Sequence, residues 1–104
     1  MPSFKKHCAD CREELGKDYD QVHRWLDEFA GIYMRRCDDG SRIVSMMHWL
    51  HRHHKTGVEE ARKKWGDDAA RAAELHILAD VQGLGLDHVP SEAELAKTLG
   101  TAGP

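Results

Sequence analysis

Met46-Met47-His48-Trp49-Leu50-His51-Arg52-His53-His54-Lys55-Thr56-Gly57 carries four of the chain's eight histidines, three of them within one turn of helix. The residues around it decide the fold class. Across residues 41–65, Ile43, Met47, Leu50, Val58, Ala61 and Trp65 fall along one stripe when projected at 100° per residue. The stretch therefore reads as one long helix that bends at Gly57, the alternative being a fresh start there through a Thr56/Glu59 capping box. His54 lands in the middle of the stripe and is expected to face the core, with His51 beside it and His48 and His53 on opposite flanks. A buried neutral imidazole is costly unless both nitrogens find partners, so an inward His54 calls for a carboxylate, a carbonyl, a water or a metal.

The flanking segments are helical as well. Residues 3–15 form a helix with Ser3 as N-cap and Gly16 as its stop. Asp18, with Gln21 three positions on, opens a second helix that runs to residue 30 and buries Val22, Trp25, Leu26 and Phe29. Residues 31–40 read as a loop, and residues 67–81 as a helix whose alanines let another backbone approach closely. Gly83, Gly85 and Pro90 break the chain before a last helix over residues 91–100, capped by Ser91 with Glu94. β-Branched residues are sparse and never alternate with polar ones. The expectation is an all-α, compact bundle of four to five helices, one domain over residues 1–100 with a disordered tail at 101–104.

Composition narrows the function. A formal charge of −3 over 104 residues, with both signs interspersed, argues against a nucleic-acid partner. No apolar run approaches the roughly 20 residues of a membrane span, the N-terminal residues lack a signal-peptide core, and three cysteines cannot close a disulfide framework. A cytoplasmic protein is expected. Cys8 and Cys11 stand three apart, and His7 and Cys11 four apart. With Cys37 they can be read either as a Cys3His zinc site or as ordinary thiols.

Two His-x-x-x-Asp pairs, His23/Asp27 and His76/Asp80, sit on separate helices, and the inward histidine of the central stretch, His54 or its neighbour His53, lies on a third. Together His23, Asp27, His53, His54, His76 and Asp80 are the candidate ligands for one divalent transition metal, zinc first, with iron or manganese also suited to such nitrogen and oxygen donors. If the protein is an enzyme, metal-assisted hydrolysis is the natural class, with Asp27 or His53 taking a proton from bound water; the sequence names no small-molecule substrate. The alternative is a non-catalytic interaction module, a homodimer or a partner-binding protein, whose buried His/Asp network is structural. Trp49 lies about 120° from the core stripe, so a dimer contact or a second packed helix is expected to cover it.

The runs His23-Arg24-Trp25-Leu26-Asp27, His48 to His54 with Gly57, Trp65-Gly66 and His76-Ile77-Leu78-Ala79-Asp80 resemble an uncharacterised family of small bacterial, archaeal and phage proteins. That family carries His…Trp-x-Asp, His-x-x-x-Arg-His-His-x-x-Gly, Phe/Trp-Gly and His-Ile/Val-x-x-Asp. The resemblance covers about residues 6–91 and implies His23, Asp27, His48, His53, His54, His76 and Asp80 as the site, but no activity. The chain departs from the pattern in the additional His51 and in a shorter loop after Gly83. A weaker similarity to HD-type phosphohydrolases lies in the order His23, His53-His54, Asp80; His54 stands where that family has aspartate, so the activity does not carry over.

Overall fold

The computed structural model describes residues 3–102, with side chains for residues 3–100. It is mostly helical: α1 (Phe4–Leu15), α2 (Asp20–Leu26), α3 (Trp49–Arg52), α4 (Lys55–Trp65), α5 (Asp67–Val81) and α6 (Glu92–Ala102). Short 3-10 turns lie at Ala30–Tyr33, Met46–His48 and Gln82–Leu84, and β1 (Met34–Arg36) pairs antiparallel with β2 (Arg42–Val44). Helix α5 is the hub, packed against α1, α2 and α4. Its alanine face makes this possible, since Ala69, Ala70, Ala72 and Ala73 are all buried and let neighbouring backbones approach closely. Ile77, Val81, Leu26, Trp49 and Leu95 fill the core around it.

The caps read from sequence form at three helix ends. Ser3 Oγ accepts from the Lys6 N–H, Gly16 closes α1 in the left-handed region at φ 81°, and Ser91 Oγ accepts from the Glu94 N–H. Of the tail expected at 101–104, Thr101 and Ala102 continue the α6 backbone, and Gly103 and Pro104 lie outside the described residues.

The second helix is shorter than its periodicity predicts. Asp18 is not its cap: the carboxylate is taken by Arg12 at 2.6 and 2.7 Å, and α2 begins at Asp20 after Tyr19, held at φ 53°. At the other end the chain leaves the helix at Asp27.

The long helix expected over residues 41–65 does not form. Its first residues make the second strand of a β-hairpin and then a 3-10 turn instead, and Ile43 and Met47 are 50% and 43% exposed rather than core. The turn holding Asp39-Gly40 drives this. Asp39 Oδ1 accepts from the Ser41 N–H and hydroxyl, Cys37 N–H donates to Ser41 O, and Gly40 takes φ 87°. The remainder breaks at His53-His54. His54 takes extended backbone and caps α4, its Nδ1 accepting from the Gly57 N–H at 3.2 Å. Trp49, off the expected core stripe and expected to need a covering partner or helix, is 2% exposed inside the chain's own core.

The break leaves no room at Gly57. A Cβ there would lie 1.8 Å from the Arg52 carbonyl oxygen and 2.6 Å from its carbon, both backbone atoms. In an ordinary helix interior, glycine to alanine stabilises by about 1 kcal/mol. Gly57→Ala is instead expected to destabilise by about 3 kcal/mol or more, because α3 and α4 must separate to admit the methyl. Thermal denaturation followed by circular dichroism checks this; an unchanged or raised Tm would contradict the close approach.

Candidate metal centre

Six buried or partly buried side chains from five segments meet beside α5. His76 and Asp80 come from α5, one turn apart on its inner face, and His7 comes from α1. Asp27 is the residue at which α2 ends, His48 closes the 3-10 turn before α3, and His53 ends α3. Asp27 and His53 stand where the chain leaves regular helix, and His48 where it enters α3. All six are almost fully buried except Asp27, whose side chain is 34% exposed.

Imidazole Nε2 atoms converge on the two carboxylates. His53 Nε2 lies 2.9 Å from Asp80 Oδ2 and 3.4 Å from Asp27 Oδ1. His76 Nε2 lies 3.2 Å from Asp80 Oδ2 and 3.4 Å from Asp27 Oδ2. Outside this inner group, His7 Nε2 is 3.2 Å from Asp80 Oδ1 and His48 Nε2 is 3.5 Å from Asp27 Oδ1. Asp27, His53, His76 and Asp80 each offer a ligand atom within 4.8 Å of all the others, a group that could hold a metal ion.

The hydrogen bonds behind the rings determine which nitrogens face inward bare. His23 Nε2 sits 2.9 Å from the Asp18 carbonyl oxygen, which can only accept, so Nε2 carries the proton. Neutral His23 then offers a bare Nδ1, to which His76 Nδ1–H donates at 2.9 Å. In the neutral His76 ring, Nε2 is therefore a lone pair pointed at two carboxylate oxygens. His48 repeats the arrangement: its Nδ1–H donates to the Ser45 carbonyl at 2.7 Å, leaving Nε2 bare toward Asp27.

Ring contacts hold these orientations. His7 stacks on His76 with centroids 3.6 Å apart, and Trp49 stacks on His53 at 5.5 Å. Among the described residues, seven buried side-chain nitrogen or oxygen atoms lack a hydrogen-bond partner, and all but Trp49 Nε1 belong to the cluster. Several of the close N···O pairs are thus misaligned as hydrogen bonds. His76 Nε2 and Asp27 Oδ1 face the inner group, while the unpartnered Nδ1 atoms of His7 and His53 lie on the ring edges away from the carboxylates.

The electrostatics follow from burial and from these contacts. Burial, aided by the nearby His76 and His7, pushes His23 down to about 4, and burial pushes His53 down to about 4. Burial also opposes protonation of His76 and charging of both aspartates, but the His–Asp contacts outweigh it. His76 and His48 are raised, and Asp27 and Asp80 are held below the usual carboxylate range.

Of the six candidate ligands, His53, His76, Asp27 and Asp80 come together, and His54 and His23 do not join them. His54 is buried yet occupied, Nδ1 by Gly57 N–H and Nε2 by the Leu50 carbonyl at 3.1 Å. His23 does not pair with Asp27, its partner four residues on; it buttresses His76 from behind. His51 stacks on Phe29 at the surface and meets the Tyr33 hydroxyl at 2.9 Å. The residue missed is His7, read only beside cysteines. Its spacing of four from Cys11 puts the two on one face of α1, and both are buried there. Cys11 itself packs toward the Ala72 carbonyl, with burial pushing its thiol up to about 11, and among the described residues no cysteine joins a group able to hold a metal.

No protein-family model matches the chain, and no curated protein or solved structure is significantly similar to it. No helix of the described residues is long and apolar enough to cross a membrane.

With metal chelated away, stability should peak near neutral pH. His23 and His53 have lowered folded values, so their contribution is full above the unfolded value near 6.5 and is lost as pH falls toward 4. His48 and His76 have raised values, so theirs is full below 6.5 and is lost as pH rises through the folded value. Melting in EDTA from about pH 4 to 9 is expected to trace a dome, with His53→Gln flattening the acid limb and His76→Gln the alkaline one. A flat wild-type profile would contradict this.

Proposed function

We propose that the protein binds one divalent transition-metal ion through His53 Nε2, His76 Nε2, Asp80 Oδ2 and an Asp27 oxygen. The single observation that carries this reading is the spacing of those atoms. An ion bound at about 2.0–2.1 Å holds tetrahedral ligand atoms about 3.3–3.4 Å apart, and right-angled ones about 2.9 Å apart. The His–Asp pairs among them stand at 2.9 and 3.2 Å to Asp80 Oδ2 and at 3.4 Å to Asp27, through Oδ1 from His53 and Oδ2 from His76, and one atom from each of the four residues lies within 4.8 Å of all the others.

The cost of the alternative points the same way. Without an ion, His76 Nε2 and Asp27 Oδ1 of the proposed ligand set stay buried without a hydrogen-bond partner, at about 1–3 kcal/mol each. A cation at the centre would satisfy both. Two imidazoles and two carboxylates suit zinc first and accommodate iron or manganese.

The ion's first role in this reading is to hold the fold. It ties α5 to the ends of α2 and α3, and four protein ligands close its shell as in structural sites. Four surface cavities of 270 to 590 Å³ are lined entirely by other residues, so none of them supplies a substrate cleft over the cluster. The resemblance to the small His-rich family fits this reading, since the residues it implies include all four ligands. A hydrolytic role remains attached to Asp27 alone, the one ligand that reaches solvent.

Elemental analysis of tag-free protein purified without chelator tests the proposal. At least one equivalent of a divalent transition metal is expected, absent from His76→Ala and Asp80→Ala. Free metal at a thousandfold excess over Kd should stabilise by about 4 kcal/mol, raising Tm by roughly 15–30 °C over the chelated protein. A folded wild type that holds no metal, and gains none from added zinc, iron or manganese, would leave the buried hydrogen-bond network as the better account.

A further inference from the structure

The inner four ligands do not use the whole cluster. His48 is 1% exposed, and its Nε2 has no hydrogen-bond partner, because Nδ1 is committed to the Ser45 carbonyl. The atom it faces, Asp27 Oδ1, is also buried without a partner. Two such atoms need a proton or a metal cation between them, and 3.5 Å, at which no hydrogen bond is formed, is close to the separation of two ligand atoms on one ion.

Asp27 is placed to serve two centres. Its Oδ2 faces His76, while its Oδ1 is shared between His53 at 3.4 Å and His48 at 3.5 Å. Oδ1 thus lies between an inner ligand, His53, and the outer His48, and Oδ2 faces the inner His76, so the carboxylate borders both positions. Asp27 also carries the solvent exposure of the cluster, so a cation on its His48 side can complete its shell with water.

Resting on the metal-binding reading above, we infer that the cluster is a two-ion centre. A second divalent cation sits between His48 Nε2 and Asp27 Oδ1, and Asp27 bridges it to the inner ion. With two protein ligands and water it binds more weakly than the inner ion and exchanges more readily. The groups that face this position are Asp27, His53 and His48; His7 stands on the far side, against Asp80 Oδ1. Two ions in such sites stand about 3.5–4 Å apart, close enough for magnetic exchange.

Chelator-stripped protein titrated with Mn2+ tests this, with stoichiometry read by elemental analysis after desalting and by direct titration, and with low-temperature electron paramagnetic resonance as the second readout. Two equivalents are expected in the wild type, the second about tenfold or more weaker, with the multiline spectrum of an exchange-coupled pair. His48→Ala is expected to keep one equivalent at nearly unchanged affinity and to show the six-line spectrum of an isolated ion. If His48→Ala fails to fold, His48→Gln, whose amide can still donate to the Ser45 carbonyl, replaces it. One equivalent in the wild type overturns the second ion and leaves the inner site standing. Two equivalents in both proteins overturn the assignment to His48. No binding at all overturns the parent reading, and this one with it.

Discussion

Burying two carboxylates side by side sets the terms for the rest of this molecule. Asp27 and Asp80 each lie against imidazoles that are themselves almost fully buried, in a region where an uncompensated charge costs several kcal/mol. Each aspartate keeps its charge through its contacts with the imidazoles around it. The fold therefore brings His7, His48, His53 and His76 to them from separate segments, and the central helix α5 carries both a carboxylate and an imidazole on one inner face. The alanine surface of α5 serves the same end, because only small residues let three helices approach closely enough for side chains from all of them to converge.

The break between α3 and α4 is the local arrangement that makes the convergence possible. A continuous helix would point His54 inward and leave His53 on the flank. Ending α3 at Arg52 turns His53 into the cluster and uses His54 as a cap, with both of its nitrogens occupied by backbone. The compact corner demands a residue without a side chain at Gly57, under the Arg52 carbonyl. The same Arg52 reaches across with its guanidinium to the Trp25 carbonyl at 2.6 Å and to Glu28 at 2.6 Å, over the Trp25 ring. The carbonyl contact lies on the segment that presents Asp27, so one residue joins the end of α3 to the end of α2. Its partner Glu28 is largely exposed, which makes the backbone contact and the ring stacking the stronger part of the clamp.

Helical periodicity made α1, α5 and α6 legible, α1 and α6 with their caps, because each is a single amphipathic or alanine-rich run with a Ser or Gly boundary. It also exposed His76 and Asp80 as an inward pair, since four-residue spacing on a buried helix leaves little freedom. It misled wherever tertiary contacts stop a helix early. Nothing in the periodicity of residues 41–65 distinguishes a long helix from a hairpin, a 3-10 turn and two short helices, although Asp39-Gly40 between Met34-Arg35-Arg36 and Arg42-Ile43-Val44 carried a hairpin signal. Which of two adjacent histidines faces inward depends on where the break falls, and that depends on backbone approach. His7 stayed hidden because its partner Asp80 is far away in sequence.

The hairpin explains how Asp27 and His48, separated by twenty-one residues, come to face each other. The chain leaves Asp27 through the 3-10 turn at Ala30–Tyr33, runs out along β1, returns along β2 and re-enters at Ser45. There the Ser45 N–H donates to the Tyr33 carbonyl at 3.2 Å, closing the excursion at its base. The Ser45 carbonyl in turn accepts from His48 Nδ1, which sets the ring's orientation and leaves Nε2 toward Asp27. The strands bury little, with Met34 and Ile43 43% and 50% exposed, so their contribution to the core is small. Their effect lies in closing the loop at its base, and through Ser45 they determine which nitrogen of His48 faces the carboxylate.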